Sequence, residues 1–112
     1  MINRSPPPVL PAAPAKLIAV VVGGCEVLLA WTECRAGGFG FRIERADGFG
    51  SACRFSEIGE VGPRVAAFRD GLVKPRKTYS YRVHAWNASG ISSPSNVIEV
   101  TMPRSRTELP AD

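Results

Sequence analysis

Only one histidine, His84, and three cysteines, Cys25, Cys34 and Cys53, occur in these 112 residues. That scarcity excludes much chemistry. A structural zinc site needs four closely spaced ligands, and no C-x-x-C pair is present. An odd cysteine number without a secretion signal argues against a disulfide framework. No serine, cysteine or carboxylate is placed by sequence to complete a catalytic set with His84. Paired carboxylates and a phosphate-binding loop are missing too. The sequence therefore predicts a protein that is not an enzyme and takes neither metal nor cofactor.

Long apolar runs are also missing. A bilayer-spanning helix needs about 18 apolar residues, and the longest run here, Leu17 to Val22, has the length of a strand. The first eight residues, Met1 to Pro8, hold one charge, three consecutive prolines and no apolar h-region, so they do not read as a signal peptide. The expectation is a chain used without secretion, or one cut from a longer secreted protein.

Basic residues exceed acidic ones, giving a net charge of +4. The arginines are scattered singly, with small clusters only at Lys74/Arg76/Lys77 and Arg104/Arg106. No stripe of basic and aromatic residues appears, which argues against nucleic acid as a partner.

Proline marks the ends. Pro6, Pro7, Pro8, Pro11 and Pro14 fall within residues 1–14. Proline fixes φ and removes the amide donor, so this arm should be extended and polyproline-like. Residues 104–112 form a short polar tail. Between them, residues 15–103 have the size of one domain.

Within that domain short strands alternate with Gly, Pro and Asp turns, an all-β signal. The pattern predicts strands near Lys16–Val22, Cys25–Thr32, Phe39–Arg45, Ala52–Ile58, Arg64–Phe68, Thr78–Trp86 and Asn96–Met102. A period of two assigns faces. Cys25, Val27, Leu29 and Trp31 share one side, as do Phe41 and Ile43, and Tyr79, Tyr81, Val83 and Ala85. Near the end, the choice between Val97 and Ile98 as the partner of Val100 stays open. If Val27 and Leu29 face the core, then Leu28 and Ala30 face out. Ile18, Val20 and Val22 join them, with Val65 and Ala67. A patch of that kind usually marks contact. The alternative is coverage by the proline-rich arm.

The segment from Val73 to Ser95 carries a resemblance. Tyr79 precedes an alternating strand, Asn87-Ala88-Ser89-Gly90-Ile91-Ser92 follows as a turn, and Pro94-Ser95 leads to the last strand. With Pro14, Trp31 and Phe41-Arg42-Ile43-Glu44-Arg45 in order before it, the chain resembles the fibronectin type III family over roughly residues 14–103. The resemblance implies an immunoglobulin-like sandwich of seven strands with extended N- and C-terminal arms. It places Trp31 at the second-strand tryptophan, Gly90 in the turn and Tyr79 at the tyrosine corner, its hydroxyl bonded to nearby backbone. The family's Leu-x-Pro-Gly-Thr-x-Tyr is replaced by Val73-Lys74-Pro75-Arg76-Lys77-Thr78-Tyr79, so Leu72 is a candidate for the corner leucine. The integrin-binding tripeptide of some members is absent.

Four minor candidates remain. Cys25 and Cys53 map to one end of the sandwich but to different sheets, so small buried thiols are expected over a bridge. His84 is read as a solvated strand residue. Asn87-Ala88-Ser89 fits the glycosylation pattern and equally the family's turn. Trp86 points away from the core, either as an interface anchor or beneath the turn at Asn87–Ser92 or the one that follows Arg45.

The function expected is therefore structural or interactive. The leading expectation is an accessory subunit, for decoration, cement or tail, docked in an assembly such as a phage virion. Its partners would be capsid or tail proteins, or copies of itself, met through Trp86, Ile18, Val20, Leu28, Ala30 and the arm prolines Pro6, Pro7 and Pro8. The location would be a virion or a cytoplasmic assembly. The alternative is a spacer or binding module of a secreted bacterial polysaccharide-acting enzyme or surface protein.

Overall fold

The structure, a computed structural model, describes residues 9–32, 39–48 and 54–104. Pro6, Pro7, Pro8, Cys34 and Cys53 lie outside the described residues. The strands are β1 (Ala15–Val22), β2 (Glu26–Thr32), β3 (Gly40–Asp47), β4 (Ser56–Val61), β5 (Ala67–Asp70), β6 (Thr78–Asn87), β7 (Gly90–Ile91) and β8 (Ile98–Thr101). They form one sheet in the order β1-β2-β5 and a second in the order β4-β3-β6-β7, with β8 also paired to β6. Every pairing is antiparallel.

The alternation in β6 drives the packing. Tyr79, Tyr81, Val83 and Ala85 are all buried and face Leu17, Val27, Leu29 and Trp31 of the other sheet, with Phe41 and Ile43 beside them. Each such aliphatic or aromatic side chain taken from water contributes roughly 1.5–3 kcal/mol. Trp31 meets Phe41 edge to face, ring centroids 5.5 Å apart. The ring of Phe68 from β5 lies directly over Gly59 of β4, where no Cβ would fit. Gly23 and Gly24 both take positive φ in the β1–β2 turn, which non-glycine residues rarely adopt.

The last strand departs from expectation. It is two pieces, β7 and β8, because residues 92 to 97 leave the ladder, and Pro94 has no amide to offer it. Two serines hold the gap. The Ser92 amide donates to the Ala85 carbonyl at 2.8 Å, and the Ala85 amide donates to Ser92 Oγ at 2.9 Å. Ser95 makes the same pair with Val83, at 2.8 and 3.0 Å. Past the gap, Val100 is buried and Ile98 packs on the core, while Val97 is exposed. Other strands also begin later than expected: β2 at Glu26 and β3 at Gly40 by one residue, and β4 at Ser56 and β5 at Ala67 by more.

Candidate docking face

The outer side of β1-β2-β5 is built by register. Ile18 lies opposite Ala30 and Val20 opposite Leu28 across β1 and β2. Leu28 lies opposite Arg69 and Ala30 opposite Ala67 across β2 and β5. Because the intervening residues Leu17, Val27 and Leu29 are taken by the core, these side chains are left outside. Ile18 is 55% and Val20 54% exposed. Small residues at Ala30 and Ala67 sink the middle of the sheet between larger ones. The result is a groove of ≈ 450 Å³ lined by Ile18, Val20, Leu28, Ala30, Ala67 and Phe68, with Arg69 at its margin. Arg69 donates to Glu26 Oε1 at 3.0 Å, so the groove ends in a paired charge. That margin was readable from the same alternation, since Arg69 follows Ala67 by two. The described part of the arm meets other residues: Asn87 Nδ2 donates to the Val9 carbonyl at 2.9 Å, and Leu10 stands against Gly90.

Trp86 lies on the outer side of the other sheet. It is half-buried, covered by Phe39 edge to face at 5.6 Å and by the Arg42 guanidinium 5.0 Å from its centroid. Among the described residues the cover shown is supplied by Phe39, which flanks β3, and by Arg42 within it. Gly40 makes room for the indole: a Cβ there would fall 3.1 Å from Trp86 Nε1 and 2.5 Å from the Val61 carbonyl oxygen. Trp86 Nε1 is buried and has no hydrogen-bond partner among the described residues.

His84 is not a solvated residue. Its side chain is 13% exposed. Nδ1 lies 2.8 Å from the Ser92 carbonyl and Nε2 3.0 Å from Glu44 Oε1. Alternation turned it away from the core correctly, but Glu44 and the departing last strand enclose it. Burial pushes the Glu44 carboxyl up, yet hydrogen bonds from Arg82 and His84 and their positive charge hold it below its ordinary value. Arg82 Nε reaches Glu44 Oε1 at 2.6 Å and stacks on Phe55 at 4.1 Å.

At the corner, the Lys74 amide donates to the Tyr79 hydroxyl at 2.9 Å. Leu72 is not the corner's apolar plug. It is 83% exposed, and the neighbouring Val73 packs on the core instead. What fixes Leu72 is its backbone: its amide donates to Asp70 Oδ1 at 3.1 Å and its carbonyl accepts from Arg45 Nη1 at 3.1 Å. Arg76, where the family has glycine, sits at φ 64, the left-handed region. Cys25 is an exposed free thiol, not a buried one, because it belongs to the β1–β2 turn and β2 starts after it. Among the described residues no group of three or more His, Cys, Asp or Glu side chains is placed to hold a metal ion, and no helix is long and apolar enough to cross a membrane.

No family model matches this sequence, and no curated protein matches it. Solved structures do. The chain is similar to a crystal structure of titin domains, at 21% identity and TM-score 0.71, covering 85% of this chain and 33% of that one. It is similar to the FN1–FN3 domains of chicken CNTN1, at 19% identity and TM-score 0.72, covering 85% and 32%. A myokine structure matches at 19% identity and TM-score 0.67, covering 84% and 99%. The chain thus spans about a third of the titin and CNTN1 fragments. These likenesses show the fold, and the chain has a fibronectin type III-like sandwich.

Proposed function

We propose that this chain is a non-catalytic interaction module that docks on a protein partner through the outer face of β1-β2-β5. The observation that carries the reading is the aliphatic groove at Ile18, Val20, Leu28, Ala30 and Ala67. Covering several half-exposed aliphatic side chains yields about 25 cal/mol per Å² of apolar surface removed from water, and the groove holds no ionised group except at its paired margin. The form of this reading that fits best is an accessory subunit of a larger assembly, such as a decoration, cement or tail protein of a phage virion. Trp86 is secondary in it, since Phe39 and Arg42 already cover the indole.

A photo-crosslinking residue at Ile18, introduced in the source cell, tests the proposal. The expected result is one discrete protein adduct from Ile18 and none from Glu99 on the other sheet. Equal labelling from both positions would contradict it. A second reading, a spacer module beside a secreted polysaccharide-acting domain or in a surface protein, is favoured by the likeness to one third of multidomain titin and CNTN1 fragments. On that reading Ile18 yields no adduct.

A further inference from the structure

β1 ends its sheet, in the order β1-β2-β5. Two sets of hydrogen bonds fix which of its backbone groups face outward. The Trp31 amide donates to the Ala66 carbonyl, so odd-numbered residues of β2 turn their backbone groups towards β5. Even-numbered residues of β2 therefore bond β1, through the pairs Ile18–Ala30, Val20–Leu28 and Val22–Glu26. That leaves Leu17, Ala19 and Val21 of β1 facing the open edge. Leu17 agrees independently: its amide donates to Asn96 Oδ1 at 2.8 Å, and its carbonyl accepts from Asn96 Nδ2 at 3.1 Å. Asn96 covers Leu17 and stops there. No described residue takes the edge-facing amides and carbonyls of Ala19 and Val21.

Natural sheets blunt such edges with lysine, proline, bulges or a covering loop. Residues 18 to 22 read Ile-Ala-Val-Val-Val and carry no charge and no proline. The one irregularity in the β1–β2 pairing comes before Ile18.

We propose that this edge takes β1 of a second copy of the chain, antiparallel, about a twofold axis at Val20. The available groups set the register. Pairing Ala19 with Val21 of the second copy, and Val21 with its Ala19, satisfies both edge amides and both edge carbonyls of each strand. Leu17 keeps Asn96. The neighbouring registers fail: one pairs Val21 with Leu17 and displaces Asn96, and the other pairs Ala19 with Gly23, which turns at φ 63.

In the chosen register Val20 faces Val20 as a close, non-hydrogen-bonded pair, and Ile18 faces Val22. The seam carries no charge, so the net +4 of each copy is not opposed there. The edge is self-complementary, since the two free amides and two free carbonyls of one strand match those of its twofold mate with none left over, and this favours a second copy over an unrelated strand. The two three-stranded sheets become one, with a continuous aliphatic outer face. The edge offers backbone groups and the outer face side chains, but Ile18 and Val20 belong to both. An Ile18 adduct with a second copy therefore reports this dimer, and only an Ile18 adduct with a different protein reports the function proposed above.

Sedimentation equilibrium on the full chain, with amide hydrogen exchange on the same samples, tests it. The mass doubles as concentration rises, and the Ala19 and Val21 amides slow on dimerisation while Leu17 does not change. Val20→Lys and Val20→Glu are each monomeric, because like charges meet at the axis, and mixing them restores the dimer. Leu28→Lys, on the neighbouring strand, still dimerises even where partner binding is lost. A chain that stays monomeric at its highest soluble concentration overturns the proposal. So does a dimer whose Ala19 and Val21 amides exchange as fast as in the monomer, which is decided on the unaltered chain whether or not the variants fold. A dimer untouched by Val20→Lys does the same.

Discussion

The Tyr81 hydroxyl donates to Asp70 Oδ2 at 2.7 Å, joining the two sheets through the interior. Asp70 is buried, and its other partners are Arg45 Nη1, at 2.9 and 3.2 Å to its two oxygens, and the Leu72 amide. Burial and the adjacent carboxylate push the Tyr81 hydroxyl's ionisation far up. Arg45 also stacks on Tyr79 at 5.1 Å, so a single charge cluster locks β3, β5 and β6. Removing one member strands the others. Asp70→Ala should cost about 3 kcal/mol, the lower end for a broken buried pair, because Arg45 keeps 21% exposure. Tyr81→Phe should cost about 1–3 kcal/mol. Urea unfolding of the two variants measures both, and an Asp70→Ala loss smaller than that of Tyr81→Phe would contradict the account.

Glu44 gives a pH signature. Its folded carboxyl is held below the ordinary 4.5 by Arg82 and His84, which outweigh the upward push of burial. A depressed carboxyl contributes stability that is fully present above its unfolded value and is lost as pH falls through the folded one. Thermal unfolding of the native chain should therefore weaken below about pH 4.5 more steeply than that of Glu44→Gln. Parallel curves for the two proteins would remove Glu44 from this role.

Gly40 tests the seat of Trp86. A Cβ at Gly40 would meet the Val61 carbonyl and the indole nitrogen at once. Gly40→Ala should destabilise by about 1–3 kcal/mol, as overpacking does, and shift the tryptophan fluorescence as the indole lifts. Unchanged emission with unchanged stability would mean that the strand yields freely there.

Ser95 and Ser92 test the gap in the last strand. Each hydroxyl oxygen accepts a buried β6 amide. Ser95→Ala leaves the Val83 amide unpaired and should cost about 1–3 kcal/mol. Faster exchange of that one amide would accompany the loss, and a protected Val83 amide in the variant would contradict the assignment.

Much of this architecture was legible because period two is a local signal. Tyr79 through Ala85 placed one face, and Leu28 against Leu29 placed the outer groove, from neighbouring residues alone. The buried charge cluster was not legible. Asp70 precedes Gly71 and reads as a turn residue, and only the pairing of distant strands brings it to Arg45 and Tyr81. His84 failed for the same reason: its enclosure comes from Glu44, forty residues away. Leu72 failed by one position, since the chain turns its backbone and not its side chain inward. The broken last strand depends on serine hydroxyls standing in for backbone acceptors, which no alternation pattern reports.

The central claim is that the outer face of β1-β2-β5 binds a partner and does not hold the fold together. Leu28→Lys and Leu29→Lys, compared for both stability and partner adduct formation at Ile18, test it most directly. Leu28→Lys should change stability by less than about 1 kcal/mol and abolish the adduct with the partner protein, while Leu29→Lys should unfold the domain. A Leu28→Lys protein that folds and still forms the adduct would contradict the account.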